Sequence, residues 1–286
     1  HRRFSLKSFV STDLAVTAPA GRFAQWAHTL AREDVPIRAL DFWTGSDART
    51  PVSTAWHAIL GMERWLSGSR ALRVEGYFKH YPSLVEQNPY SDPSVPGDEF
   101  TKLRGHSLGA DVMLRQFERG EGRWSGWLAY SLAWSRRMDE TGRRFVPAQD
   151  RRHELNVVAS RKGARYQLSA RFNLATGTPY TMIVGAFHPR RYNPANHRFE
   201  FEEDGVRFLT GPRNGERLPL ATRLDLSATR LGSVGGVSVS PFLSIMNVYN
   251  ARNPFAYAFN YGDAPPTRYG IPQFPVFPTL GVSLSW

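Results

Sequence analysis

The sequence predicts an all-β fold, a transmembrane, antiparallel, up-and-down β-barrel wall of about 11 strands, because three patterns that such barrels combine coincide in it. Alternating segments are joined in pairs by short polar turns, and the pairs are separated by long loops. Each segment has one apolar face and one polar or charged face. The last segment, Thr279-Leu280-Gly281-Val282-Ser283-Leu284-Ser285-Trp286, puts Leu280, Val282, Leu284 and Trp286 on one side and Gly281, Ser283 and Ser285 on the other. Termini of soluble domains fray and seldom need an apolar anchor, whereas the closing strand of a barrel lies against lipid with an aromatic at the interface.

Composition narrows the alternatives. A chain of 286 residues fits one large domain or two ordinary ones. No run approaches the ~18 consecutive apolar residues of a transmembrane helix, so any membrane span is built of strands. Aromatics make up 13% of the chain, a generous supply for the girdles of a barrel. The absence of Cys argues against disulfides, Fe–S clusters and thiolate metal sites, and no metal or cofactor is expected. The formal charge of +11 invites a nucleic-acid reading, but that needs one basic face interleaved with stacking aromatics. Here the five long loops are net negative, and the basic excess lies in strands and turns, at Arg70, Arg119, Arg123, Arg161, Lys162 and Arg165 among others. Lipid head groups and water solvate such positions, so no nucleic-acid partner is expected.

In chain order, segment 4–10 meets 14–26 across Ser11-Thr12-Asp13, and 56–65 meets 71–81 across Ser67-Gly68-Ser69. Segment 103–117 meets 124–136 across a turn around Gly120 and Gly122. Segment 153–160 meets 166–173 across Lys162-Gly163, and 220–229 meets 237–248 across residues 232–236. Between the hairpins lie irregular loops at 27–53, 83–100, 138–150, 175–218 and 249–277. Short turns at one end and long loops at the other are a barrel's periplasmic and extracellular sides. The faces alternate throughout: Leu72, Val74, Gly76 and Phe78 against Arg73, Glu75, Tyr77 and Lys79; Leu108, Ala110, Val112 and Leu114 against Ser107, Gly109, Asp111, Met113 and Arg115.

Five hairpins and a closing strand give an odd count, whereas bacterial single-chain barrels use even numbers. With a periplasmic C-terminus, the first strand runs downward from outside. Residues 1–286 are therefore expected to form one outer-membrane barrel segment, the second half of a larger barrel whose earlier strands precede it. The opening His1-Arg2-Arg3-Phe4, with neither Met nor leader, fits a removed signal peptide or an N-terminal portion lying upstream.

Several stretches resemble successive barrel strands of TonB-dependent outer-membrane receptors. They are Ala55-Trp56-His57-Ala58-Ile59-Leu60-Gly61-Met62-Glu63, Arg73-Val74-Glu75-Gly76-Tyr77-Phe78-Lys79, Arg104-Gly105-His106-Ser107-Leu108-Gly109-Ala110-Asp111 and Ala221-Thr222-Arg223-Leu224-Asp225-Leu226. Residues 242–250, with Asn247-Val248-Tyr249-Asn250, and the terminal 281–286 complete the likeness. The resemblance implies a barrel of about 22 strands around a plug, of which this chain would be the C-terminal half. It implies import of a scarce small-molecule ligand, siderophore-like or another nutrient, across the Gram-negative outer membrane. It also implies partners: outer-membrane lipid and lipopolysaccharide, the barrel assembly machinery reading Leu280, Val282, Leu284 and Trp286, and the TonB complex. Nothing in the chain resembles the plug or the TonB-contacting segment, so the last partner would be reached through an N-terminal part.

Two motifs compete with this reading. Gly105-His106-Ser107-Leu108-Gly109 matches the G-x-S-x-G nucleophile elbow, which needs a strained turn between a buried strand and a helix. Residues 98–104 before it are too charged for a central strand; the run after it reads as a strand, although Val112 and Phe117 also fit one helix face. A serine hydrolase or esterase using Ser107 is the enzymatic alternative to a non-catalytic transporter, and a passive porin or adhesin barrel is another. His153-Glu154 lacks the second His of a zinc-protease motif, position 157 being Val157. On the luminal face the sequence places Glu63, Arg73, Glu75, Lys79, Asp111, Arg115 and Asp225 as wall residues or plug contacts, since charges in a confined interior are paired. Arg171 and Arg223, with Trp43, Tyr180, Arg190, Arg191, Tyr192 and Tyr257 of the loops, are the candidates for an anionic ligand, because loops on a rigid scaffold carry recognition.

Overall fold

The computed structural model describes residues 2–30, 42–48, 50–88, 91, 94–95, 98–118, 124–201, 207–260 and 267–286. Gly120, Gly122, Arg119 and Arg123 of the third turn lie outside the described residues. Eleven long strands form the wall: β1 (Arg2–Phe9), β2 (Leu14–Gln25), β3 (Ser53–Ser67), β4 (Arg70–Gln87), β5 (Phe100–Gln116), β6 (Trp124–Asp139), β7 (His153–Lys162), β8 (Tyr166–Ala175), β9 (Ala221–Arg230), β10 (Val237–Met246) and β11 (Phe277–Ser285). They pair antiparallel in sequence order, β1 to β11, in one continuous sheet. Two short pieces join it, Arg144–Phe145 on β6 and Ser233–Val234 on β10. No described residue is helical, and none lies in a helix long and apolar enough to cross a membrane.

Register explains why these residues make a wall with two environments. Leu114, Leu128, Val157, Phe172 and Leu224 face one another across five consecutive strands. Phe4, Ala20, Ala58, Phe78, Leu108 and Trp134 form a second such row. One residue out of phase runs the polar row Lys7, Thr17, Gly61, Glu75, Asp111, Ser131 and Glu154. Since the side-chain period is two, every strand turns its apolar set to one surface and its polar set to the other.

The apolar surface is not a core. Phe4, Leu6, Trp56, Leu60, Phe78, Leu108, Leu243, Leu280, Val282 and Leu284 are exposed, while the buried hydrophobic residues are few, Ala15, Val85, Leu103, Phe145 and Ala175 among them. An apolar band this continuous would drive a water-soluble sheet to aggregate, and it is what a lipid-facing wall requires.

The turns on the short-loop side are tight for identifiable reasons. Gly235 and Gly236, both with positive φ, join Val234 to Val237 in a two-residue hairpin whose twist needs that conformation. At the turn after β1, Ser11 Oγ donates to Asp13 Oδ1 at 2.5 Å, and Arg64 of β3 lies 3.7 Å from the same carboxylate.

At the other end the long connections, which the sequence reads as irregular, are themselves laddered. Ala27–Leu30 pairs with Phe42–Gly45, and Pro254–Asn260 with Thr267–Pro272. The segment between β8 and β9 zips in three stages: Pro179–Tyr180 with Glu216–Arg217, Ile183–Phe187 with Arg207–Thr210, and Arg190–Asn193 with Arg198–Phe201. Among the described residues, its backbone groups pair within the connection.

Candidate functional site

β6 outruns β7: His153, the first residue of β7, pairs with Leu132, so the amides of β6 beyond that point need another acceptor. Asp150 supplies it, its Oδ1 accepting the Ser135 N–H at 2.8 Å. The carboxylate is buried and also accepts a charge-assisted hydrogen bond from Arg217 Nη2, while Arg217 Nη1 donates to the Asp150 carbonyl at 2.9 Å. Arg152 approaches the same carboxylate at 3.8 Å; burial holds its guanidinium below the usual pKa, Asp150 opposing that shift. One aspartate therefore closes the sheet ladder and fastens the long connection to the mouth of the wall.

Two further residues reinforce that fastening. Arg213 bonds Glu86 of β4 at 3.0 Å and lies 3.9 Å over the Phe145 ring. Asn214, in the left-handed conformation that Asn tolerates, donates through Nδ2 to the Val146 carbonyl at 2.8 Å. After β10, Asn247 plays a similar part. Its amide donates to Asp225 Oδ1 at 2.9 Å and its side chain donates to the carbonyls of Ala251 and Phe274.

Beneath this frame lies a polar concavity of about 350 Å³ on the luminal face, with Tyr77, Lys79, Ser107, Asp111, Ser135 and Arg137 in its lining. The glycines of the 105–109 motif shape it. A Cβ at Gly105 would run into the Arg136 carbonyl and stand 3.0 Å from Arg137 Cδ, and one at Gly109 would stand 2.5 Å from both the Leu132 carbonyl and Tyr77 Oη, so both positions need glycine against the neighbouring backbone and against the two long side chains. Ser107 Oγ shares a 2.6 Å hydrogen bond with Ser135 Oγ. The serine is therefore a mid-strand residue paired with another serine, and the strand–turn–helix context of a nucleophile elbow is not met. A larger shallow concavity of about 450 Å³, bordered by Phe4, Trp56 and Phe78, lies on the apolar, lipid-facing surface.

Glu63, Arg73, Glu75, Lys79, Asp111, Arg115 and Asp225 share the polar face of the sheet. Arg73 pairs with Glu75 at 2.6 Å, and Glu63 lies opposite Arg73 in the register. Arg223 pairs with Asp225 at 3.1 Å, and Arg171 stands opposite Asp225. Lys79 lies over the Tyr77 ring at 4.8 Å, and Arg115 over Phe117 at 4.4 Å. Glu75 and Asp111 face each other across β4 and β5, two carboxylates in one polar row.

The loop candidates divide into three places. Tyr180 and Tyr257, 77 positions apart in the chain, meet with ring centroids 5.4 Å apart. Arg268 joins them, 4.2 Å over Tyr257 and donating to Tyr180 Oη at 3.3 Å. Arg190, Arg191 and Tyr192 share the outermost hairpin, Arg190 over Phe201 and Tyr192 bonded to His197 Nδ1 at 2.9 Å. Trp43 stands apart on the ladder between β2 and β3, exposed. Arg137, Asp150, Arg217 and Arg268 are not among the residues the sequence singles out. For Arg137 the signal was present, since it continues the Ser131, Ala133, Ser135 alternation.

Comparison with solved structures decides what this wall is. One chain of the FpvAI–pyocin S2 complex superimposes on 98% of the present chain with a TM-score of 0.58 at 12% identity. Pseudomonas aeruginosa FpvA bound to heterologous pyoverdines covers 89% at a TM-score of 0.54 and 13% identity. The ferripyoverdine receptor of the P. aeruginosa outer membrane, bound to ferripyoverdine, covers 89% at 0.52 and 13%. The chain has the fold of an outer-membrane receptor β-barrel. It spans 32% of the first of those chains and 29% of the other two, so it corresponds to about a third of a receptor-barrel protein of their length. No protein-family model and no curated protein matches the sequence. In that fold the apolar surface corresponds to the lipid face and the polar surface to the lumen.

Proposed function

We propose that the chain is the C-terminal half of the barrel of an outer-membrane receptor that imports a scarce small molecule, siderophore-like in chemistry. Energy would come from the TonB complex, acting through an N-terminal part and plug outside these 286 residues. The observation that carries the reading is the two-faced sheet of eleven strands in the fold of receptors solved with pyoverdines. The half-barrel part is supported by β1 and β11, which pair on one edge only among the described residues. A wall closed in the membrane needs both edges satisfied. The mouth cluster of Tyr180, Tyr257 and Arg268, with Arg190, Arg191, Tyr192 and Trp43 farther out and Arg171 and Arg223 on the wall, would contact the ligand.

The test is made on the native protein in cells. It should fractionate with outer membranes and migrate differently on gels before and after boiling. Uptake of a ferric siderophore panel should stop when the proton-motive force is collapsed. A soluble product would overturn the membrane reading, and uptake that survives collapse would replace the receptor with a passive porin.

A further inference from the structure

We infer that Arg137, held in the upper lumen between β4 and β6, is the anchor of an anion subsite that takes a carboxylate of a small ligand. The inference deepens the receptor reading and rests on it for the ligand's route, though not for its binding. Arg137 is only 7% exposed, and its Nε and Nη1 are buried without a hydrogen-bond partner. A buried guanidinium left in that state is costly; Arg137 borders the concavity, and a counter-ion bound there would offset part of the cost.

The nearby carboxylates do not fill that role. Asp150 accepts from Ser135 N and Arg217 and is flanked by Arg152. Glu154 accepts from Asn156 Nδ2 at 3.1 Å. Asp111 stands six residues along β5 from Gly105, the register partner of Arg137, which at the strand rise is about 20 Å down the wall.

The lining of the concavity carries Lys79, Arg137 and Arg151 beside the carboxylates Asp111, Asp150 and Glu154. The Tyr81 ring covers the guanidinium at 4.3 Å, and Gly105 gives the side chain its seat. The Ser107–Ser135 hydroxyl pair is two residues away along both strands, and Lys79 is the register partner of Ser107. A carboxylate between Arg137 and Lys79 would meet guanidinium and hydroxyl donors with an ammonium beyond, the charge-assisted set that binds such groups well. The concavity, about 350 Å³, is at the small end of ligand pockets, which suits a compact carboxylate rather than a folded segment.

The experiment titrates citrate, with acetate, inorganic phosphate and glycerol as comparison probes, into the native protein purified in detergent micelles, read by calorimetry. Citrate should bind, glycerol should not, and Arg137→Gln should weaken citrate by about 10- to 100-fold, the loss of one charged hydrogen-bonding anchor. Arg137→Lys, which keeps the charge, should fall between them. Each variant is first checked for heat-modifiable migration. A folded Arg137→Gln that binds citrate as the wild type does, a wild type that binds no citrate, or binding of phosphate in preference to citrate would each overturn the subsite. None of those results bears on outer-membrane location or energised uptake, so the two readings fail separately.

Discussion

At the residue scale, parity along a strand governs what a side chain does. Ser107 illustrates the point. Its sequence context advertises a nucleophile, yet its oxygen is committed to Ser135 and its flanking glycines make room for the Arg136 and Leu132 carbonyls and for the Arg137 and Tyr77 side chains. Ser107→Ala should therefore cost one neutral hydrogen bond, about 1 kcal/mol. Ester hydrolysis by the purified protein should be unchanged from wild type. An activity lost specifically in that variant would restore the hydrolase reading. The same parity puts Arg73, Glu75, Lys79 and Asp111 on one face by spacing alone. It could not reveal pairings that depend on where a neighbouring strand ends. Asp150 bonds Ser135 because β7 stops at His153, and no pattern around residue 150 encodes that.

At the scale of elements, the long connections are where the sequence is least legible. Their ladders alternate over only two to seven residues and are broken by Pro and Gly, too short a run for a period of two to stand out from irregular chain. Pairing between segments that far apart is set by the fixed separation of the strands beneath. The outermost hairpin, Arg190–Asn193 with Arg198–Phe201, adds its own clasp at Glu200, whose two oxygens accept from the side-chain amides of Asn193 and Asn196. Those two hydrogen bonds hold the Glu200 carboxyl below its ordinary value of 4.5. A depressed carboxyl stabilises the clasp above the unfolded-state value and releases it as pH falls through the lowered one. Hydrogen-exchange protection of the 190–201 peptide should thus fall on the acid side, as pH drops through the lowered carboxyl value. Glu200→Gln, which retains one acceptor oxygen, should flatten that acid limb. A pH-independent wild-type peptide would remove Glu200 from the clasp.

For the whole molecule, the decisive property is that one sheet separates two solvents. Strand number and the division into short-turn and long-loop ends follow from the sequence because they are repeated in every hairpin, so a local misreading at one strand is outvoted by the others. The faces are a stronger claim, since they assert which surface meets lipid. Leu128 and Ala129 are neighbours on β6. Leu128 stands in the row with Leu114, Val157 and Phe172, and Ala129 opposite Met113 and Asn156 on the other side. An arginine in the lipid-facing belt costs roughly 2–4 kcal/mol near the bilayer midplane, while the luminal face tolerates charge. Leu128→Arg should therefore lower the urea midpoint in liposomes and reduce the heat-modifiable fraction, and Ala129→Arg, one residue away, should leave both near wild type. A water-soluble sandwich predicts the same order of the two variants, because there the apolar row is a core and the polar row is already solvated, so the dependence on the surrounding lipid is what separates the two. Exchanging liposomes for detergent of shorter chain should shrink the Leu128→Arg penalty, since the cost comes from hydrocarbon depth, and should leave Ala129→Arg where it was. If the two substitutions behave alike in both settings, the assignment of faces is wrong, and with it the transmembrane reading of the sheet.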